Sequence, residues 1–251
     1  MKTFLITLVV FYLVLCAVIY ASQRRLLYFP QLPVQFAGEQ EITFDSNGET
    51  LRGYLLNPGQ EKALLYYGGN AEQIEYNMDL FKSLSNYSVY LVAYRGYGNS
   101  TGTPTEVDLY HDALLIYDAI KSDYSGISVM GRSLGSGVAT YVAANRPVEK
   151  VVLVTPYDSV ENVAKGIYWM FPVRLLIKDK YLSWQRAREI QSPTLVLFAD
   201  NDEVIPRANT ENLLTHFSVG VAKSQTIAGV SHGSISANEQ YQQTIFNFLH
   251  D

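Results

Sequence analysis

The sequence predicts an α/β domain: a mostly parallel sheet with helices on both faces, opened by an antiparallel hairpin and preceded by one apolar helix. Three observations carry this. Five short runs rich in Val, Leu, Ile and Tyr recur along the chain: ALLYY (63–67), VYLVAY (89–94), ISVM (127–130), VVLVT (151–155) and TLVLFA (194–199). Each is too short for a typical helix and reads as a strand buried on both faces. Helical patterns lie between them, and strands alternating with helices imply crossover connections and a parallel sheet covered on both sides. Finally, EITFD and LRGYLL flank SNGE within residues 41–56, and Asn-Gly is a strong hairpin-turn signal.

The bulk numbers fit one packed domain. The chain has 251 residues, 48% of them hydrophobic and 17% charged, close to ordinary globular usage. A formal net charge of −5 argues against a nucleic-acid partner, whose binding surface is usually basic. A single cysteine, Cys16, excludes an intramolecular disulfide and a thiolate zinc cluster. Nothing in the pattern calls for a metal or cofactor.

The N-terminus stands apart. Residues 4–21 read FLITLVVFYLVLCAVIYA, with no charge. As a helix this run would span roughly 27 Å at about 1.5 Å per residue, close to the thickness of a bilayer's hydrocarbon core. Arg24, Arg25, Tyr28 and Phe29 follow as an interfacial belt. A cleaved signal peptide is the rival reading, but its apolar stretch is shorter and ends in small residues, whereas Ile19 occupies one of those positions here. The expected organisation is therefore a transmembrane anchor over 1–22, a connecting segment over 23–40 and a folded domain over 41–251, with the lipid bilayer as partner of residues 4–21. Lys2 with the free amine on one side and Arg24 with Arg25 on the other nearly balance the positive-inside count, which leaves the side of the folded domain open.

Helices are expected over about Ala71–Leu84, from Pro104 to Ser122, from just after Ser133 to near Asn145, and over Ala208–His216 and Glu239–Leu249. For the second, Thr103, Pro104 and Glu106 form a T-x-x-E capping box with proline at the first helical position. Residues 156–190 break the rhythm, being too long for a simple connection. They read either as a small cap over a binding site or as two ordinary helices on the sheet. Their cluster Tyr168, Trp169 and Phe171 is the candidate substrate pocket.

The chemistry centres on VMGRSLGSGVA, residues 129–139. ISVM is a strand and a helix follows Ser133, so the chain reverses at that residue. Gly131 and Gly135 let strand and helix approach without clash, and the G-x-S-x-G elbow lifts the hydroxyl above the carboxyl end of the sheet. A serine hydroxyl needs a base, and the base needs an orienting acid. In this strand–turn–helix context the chain order is serine, acid, histidine. His111 precedes Ser133, His216 sits at a helix end and His250 at the terminus, which leaves His232 in the loop AGVSHGSIS. The acid falls in DNDEVIP, which offers Asp200, Asp202 and Glu203; Asp202 is preferred, since Asp200 adjoins the strand and suits a local turn bond. Oxyanion donors are expected at the backbone N–H of Leu134 and, after Gly68 and Gly69, of Asn70, whose side chain could also cap the next helix.

With these residues placed, the chain resembles the α/β-hydrolase superfamily, and within it the small membrane-anchored serine hydrolases, which include depalmitoylase-like members and bacterial relatives. QRRLLYFP, YYGGNAEQ, VAYRGYGNSTGTPTE, GRSLGSGVA, DNDEVIP and SHG carry the likeness, which runs from about Gln23 to the C-terminus. The family's acid falls on Asp202 and its base on His232. Gly68 departs from the family, which usually has histidine there, and the spanning segment replaces the cysteine-rich N-terminus of the depalmitoylase members. The resemblance implies a serine hydrolase of esters or thioesters through an acyl-enzyme on Ser133. A peptidase of the same fold and a non-enzymatic, membrane-tethered binding module on a hydrolase shell are the alternatives.

Overall fold

The computed structural model describes residues 1–34 and 38–250; residues 35–37 of the expected connecting segment, and Asp251, lie outside the described residues. After the helix α1 (Lys2–Leu27), the strands β1 (Gln40–Ser46) and β2 (Glu49–Leu56) form the hairpin. At its turn Asn47 and Gly48 have φ of 51° and 84°. Two consecutive positive φ values make a type I′ turn, whose twist matches the flanking strands.

The remaining strands are β3 (Lys62–Tyr67), β4 (Tyr87–Val92), β5 (Gly126–Arg132), β6 (Val151–Val154), β7 (Thr194–Asn201) and β8 (Ala222–Ser231). They form one eight-stranded sheet in the order β1-β2-β4-β3-β5-β6-β7-β8. β1–β2 and β2–β4 pair antiparallel, and every pair from β4–β3 to β7–β8 is parallel. Leu64, Val89, Val129, Val152 and Val196 are fully buried on the central strands, as apolar runs covered from both sides must be.

Helices α2 (Met78–Ser83), α3 (Glu106–Ile120), α4 (Leu134–Asn145), α8 (Arg207–Leu214) and α9 (Glu239–His250) are joined over residues 156–190 by three short ones, α5 (Val160–Ile167), α6 (Val173–Leu176) and α7 (Ser183–Ala187). α7 packs against α4 and α8, while α6 packs against α5 and α1. α1 continues to Leu27, into the stretch expected to connect. Over its most apolar window its mean hydropathy is 2.7, and it is long and apolar enough to cross a membrane.

Two helix starts differ from expectation. α3 begins at Glu106, capped by Thr105, whose hydroxyl accepts from the amide of Asp108 at 3.1 Å. Both threonines satisfy the capping pattern. Thr105 wins because Arg95 reaches Asp108 and Asp112 from the preceding loop and fixes the helix register, while the Glu106 carboxylate accepts from the amide of Lys180. The helix expected from Ala71 instead begins as a 3-10 turn at Ile74–Asn77. Residues 70–73 stay non-helical because the Glu72 carboxylate accepts from the Gly69 amide, the Tyr66 hydroxyl and the Asn77 side chain.

Between β5 and α4 the chain reverses at Ser133, with φ 49° and ψ −116°. Left-handed backbone at a non-glycine residue costs about 1–3 kcal/mol and persists only where packing over-determines it. Here the packing is backbone on backbone. A Cβ on Gly135 would lie 2.0 Å from the carbonyl oxygen of Tyr67 on β3, and one on Gly131 2.2 Å from that of Gly135. Neither glycine is needed for its own φ; both are needed because nothing larger than hydrogen fits. Gly135→Ala is therefore expected to destabilise the domain by about 3 kcal/mol, the upper range of overpacking effects; urea unfolding of the full chain in detergent, with Gly166→Ala as the open-space control, measures it.

Candidate active site

Ser133 at the elbow, Asp202 just past β7 and His232 just past β8 meet at the carboxyl edge of the parallel strands. His232 Nε2 lies 2.9 Å from Ser133 Oγ, and His232 Nδ1 lies 3.0 and 2.9 Å from the two oxygens of Asp202. With the ring proton on Nδ1 donated to the carboxylate, Nε2 carries the lone pair toward the serine hydroxyl. That arrangement can accept a proton from Ser133 and stabilise the imidazolium that results. His232 is 9% exposed, so little water competes for these bonds.

The acid is held in place by the turn it sits in. Asp202 Oδ1 accepts from the amides of Val204 and Ile205 at 2.9 and 2.8 Å. Burial alone would raise its carboxyl pKa. The hydrogen bonds from His232 and from Ile205 and Val204 outweigh that and hold it below the usual carboxylate value, so Asp202 is ionised at neutral pH. Asp200 faces elsewhere, with Oδ2 3.4 Å from the amide of Gly229, and Glu203 accepts from the amide of His232 at 3.1 Å.

A largely buried ion pair that the sequence reading did not single out ties the Gly68–Gly69 loop to the His232 loop. Arg132, one residue before the elbow, reaches the Glu72 carboxylate at 3.1 Å, and its other nitrogen donates to the carbonyl of His232 at 2.9 Å. Glu72 in turn accepts from the amide of Gly69. Opposite charges one residue before the elbow and three after a Gly-Gly pair were the only signal available, and nothing local says that they meet.

Leu134 and Asn70 line the same cavity as Ser133. As the first residue of α4, Leu134 has an amide the helix itself cannot use. The Asn70 side chain does not cap a helix. Its oxygen accepts from the amide of Phe29 at 3.0 Å and the hydroxyl of Tyr97 at 2.8 Å, and its nitrogen donates to the carbonyl of Leu27. It therefore clips the end of α1 onto the loop after β3.

The cavity holds about 400 Å³, within the range of small-molecule sites. Tyr168 and Phe171 line it; Trp169 does not and is 77% exposed. Phe171 also stacks on Tyr12 of α1 at a centroid distance of 5.9 Å, whereas no ring contact holds Trp169 among the described residues. Ile19, Gln23, Leu26 and Leu27 of α1 form another side of the cavity, a role the sequence reading gave to none of them.

No protein-family model matches the chain. Its fold is similar to that of an esterase from Pyrococcus furiosus, with a TM-score of 0.71 over 89% of this chain and 98% of that one at 15% identity. In sequence it is 32% identical over 212 residues to an uncharacterized protein of Mycobacterium tuberculosis, covering 78% of this chain and 75% of the relative. It is 30% identical over 167 residues to the lysophosphatidylserine lipase ABHD12 of Macaca fascicularis, covering 57% of this chain and 42% of that protein. The chain belongs to the α/β-hydrolase superfamily. Gly68, where the resemblance implies histidine, packs close to Ile74. A Cβ there would lie 3.0 Å from Ile74 Cγ2, and the Gly68 carbonyl accepts from the Tyr94 hydroxyl at 2.9 Å.

The ion pair makes a measurable prediction. Glu72→Met leaves the largely buried Arg132 charge without its carboxylate and orphans the Gly69, Tyr66 and Asn77 donors, and is expected to cost about 3–5 kcal/mol, whereas adding Arg132→Met removes the unpaired charge and recovers only that part of the loss. Chemical unfolding of the two single variants and the double variant measures the coupling.

Proposed function

We propose that this chain is a serine hydrolase that cleaves a carboxylic ester or thioester and is held at a membrane by α1. One observation carries the reading: the continuous hydrogen-bond chain from Ser133 through His232 to an ionised Asp202, opening into an apolar cavity. The esterase fold and the lipase relative support an acyl substrate.

In this reading His232 Nε2 takes the proton of Ser133 as Oγ attacks the substrate carbonyl. Asp202 holds the imidazole in the tautomer that leaves Nε2 free and stabilises its charged form. The oxygen that becomes negative is met by the amides of Leu134 and Asn70, and the α4 N-terminus favours the same charge. His232 then protonates the departing alcohol or thiol, leaving the acyl group on Ser133. Water, deprotonated by the same imidazole, attacks the acyl-enzyme and releases the carboxylic acid. The strained φ of Ser133 serves this chemistry by presenting Oγ rather than backbone to the cavity.

The test compares four full-length proteins in detergent. Ser133→Ala is expected to keep the wild-type unfolding midpoint but lose labelling by a fluorophosphonate probe and turnover of p-nitrophenyl butyrate. Asp202→Asn is expected to lower kcat by roughly 10⁴ through the wrong tautomer, while Asp200→Asn stays within about twofold, as a residue outside the reacting set should. Undiminished labelling of Ser133→Ala would overturn the proposal.

A further inference from the structure

The cavity beside Ser133 is closed on one side by the apolar helix itself. Ile19, Gln23 and Leu26 of α1 line it together with Val163 and Ile167 of α5. α1 is bound to this wall at several levels. Tyr12 donates to the carbonyl of Met170 at 2.9 Å, Gln23 donates to the carbonyl of Leu176 and accepts from the amide of Lys178, and Arg24 pairs with Asp179.

The polar side chains on the inner wall are already satisfied by the protein. Gln23 is bonded as above, Tyr157 donates to the carbonyl of Leu134, and Asn70 holds Leu27 and Phe29. What remains to meet a ligand, apart from Ser133, the Leu134 and Asn70 amides and the phenol of Tyr168, is hydrocarbon. Such a chamber suits an alkyl chain and gives a sugar or peptide little to bond.

Beside the cavity the α5–α6 segment exposes large apolar side chains, with Lys165 and Arg174 among them. Ile167, Trp169, Met170 and Leu175 are 60%, 77%, 63% and 82% exposed, next to a helix whose own outer face is apolar. The contact of Met170 with Tyr12 falls inside the apolar run 4–21, so the tip of this segment lies at the depth of the bilayer when α1 crosses it. There the hydroxyl of Tyr12 satisfies the Met170 carbonyl, as backbone in lipid requires.

We infer that the cavity is an acyl-chain site walled by α1, and that its substrate is a membrane-resident acyl lipid whose chain enters sideways from the bilayer between α1 and α5. This rests on the serine-hydrolase reading for the chemistry but not for the binding.

Two measurements on the full chain in phosphatidylcholine nanodiscs separate the two. In Ser133→Ala, a lysophosphatidylcholine carrying a diazirine at its chain end is expected to cross-link to Val163 and Ile19 inside the cavity, and the Val163 adduct to disappear when Ile19→Trp is added. Adducts confined to lipid-facing positions such as Val14 and Val18 would overturn the inference, whatever the enzymology. In the otherwise wild-type chain, Ile19→Trp is expected to lower the ratio of dodecanoyl to acetyl p-nitrophenyl ester turnover by about tenfold or more, as a steric block in an apolar pocket does. Val18→Trp, one position along and facing outward, is expected to leave the ratio alone. An unchanged ratio in Ile19→Trp, or an equal fall in Val18→Trp, also overturns it. Absence of all turnover and probe labelling in the wild-type chain would count against the hydrolase reading alone, since the cross-links decide the cavity without it.

Discussion

The close approach of α4 to the end of β3 is the constraint on which the rest of this molecule depends. Backbone meets backbone where Gly135 passes the carbonyl of Tyr67, with no room for a methyl group. That contact fixes how α4 leaves β5, and the turn between them has to absorb the mismatch. It does so at Ser133, in a backbone conformation that side chains rarely adopt. The hydroxyl's position is thus a product of packing in the sheet rather than of the serine's own preferences, and local strain is held by non-local contacts.

Around that point the loops are cross-braced rather than merely adjacent. Arg132 connects the strand before the elbow to Glu72 and to the His232 carbonyl. Glu72 holds the Gly69 amide, and Asn70 holds the end of α1. Three loops and the N-terminal helix therefore share one network. A displacement in any of them is felt at the serine, because buried polar groups in such a network have no water to fall back on.

Much of the fold was legible because its signals are local. The strands showed as short apolar runs, the hairpin as Asn47-Gly48, and the reversal at Ser133 as two flanking glycines. The meeting of Ser133, Asp202 and His232 follows from chain order and loop position once the sheet is parallel. What was illegible depends on distant partners. Thr103 and Thr105 are equivalent as caps until Arg95 selects the helix register. Trp169 looks like a pocket residue in the sequence, but which of neighbouring aromatics lines a cavity depends on tertiary packing, and Phe171's ring partner Tyr12 lies far upstream. The place of α1 in the cavity wall was hidden for the same reason: hydropathy over residues 4–21 reports an apolar helix and says nothing of which face of it closes a cavity.

The attachment of α1 has an implication for how interchangeable the N-terminus is. A flexible leash would fix only the distance between a soluble body and a surface. This helix is clamped through Arg24 to Asp179 and through Tyr28 to Tyr181, so it sets the body's tilt and rotation too. A borrowed helix of equal hydropathy would leave the chamber a room with one partition missing.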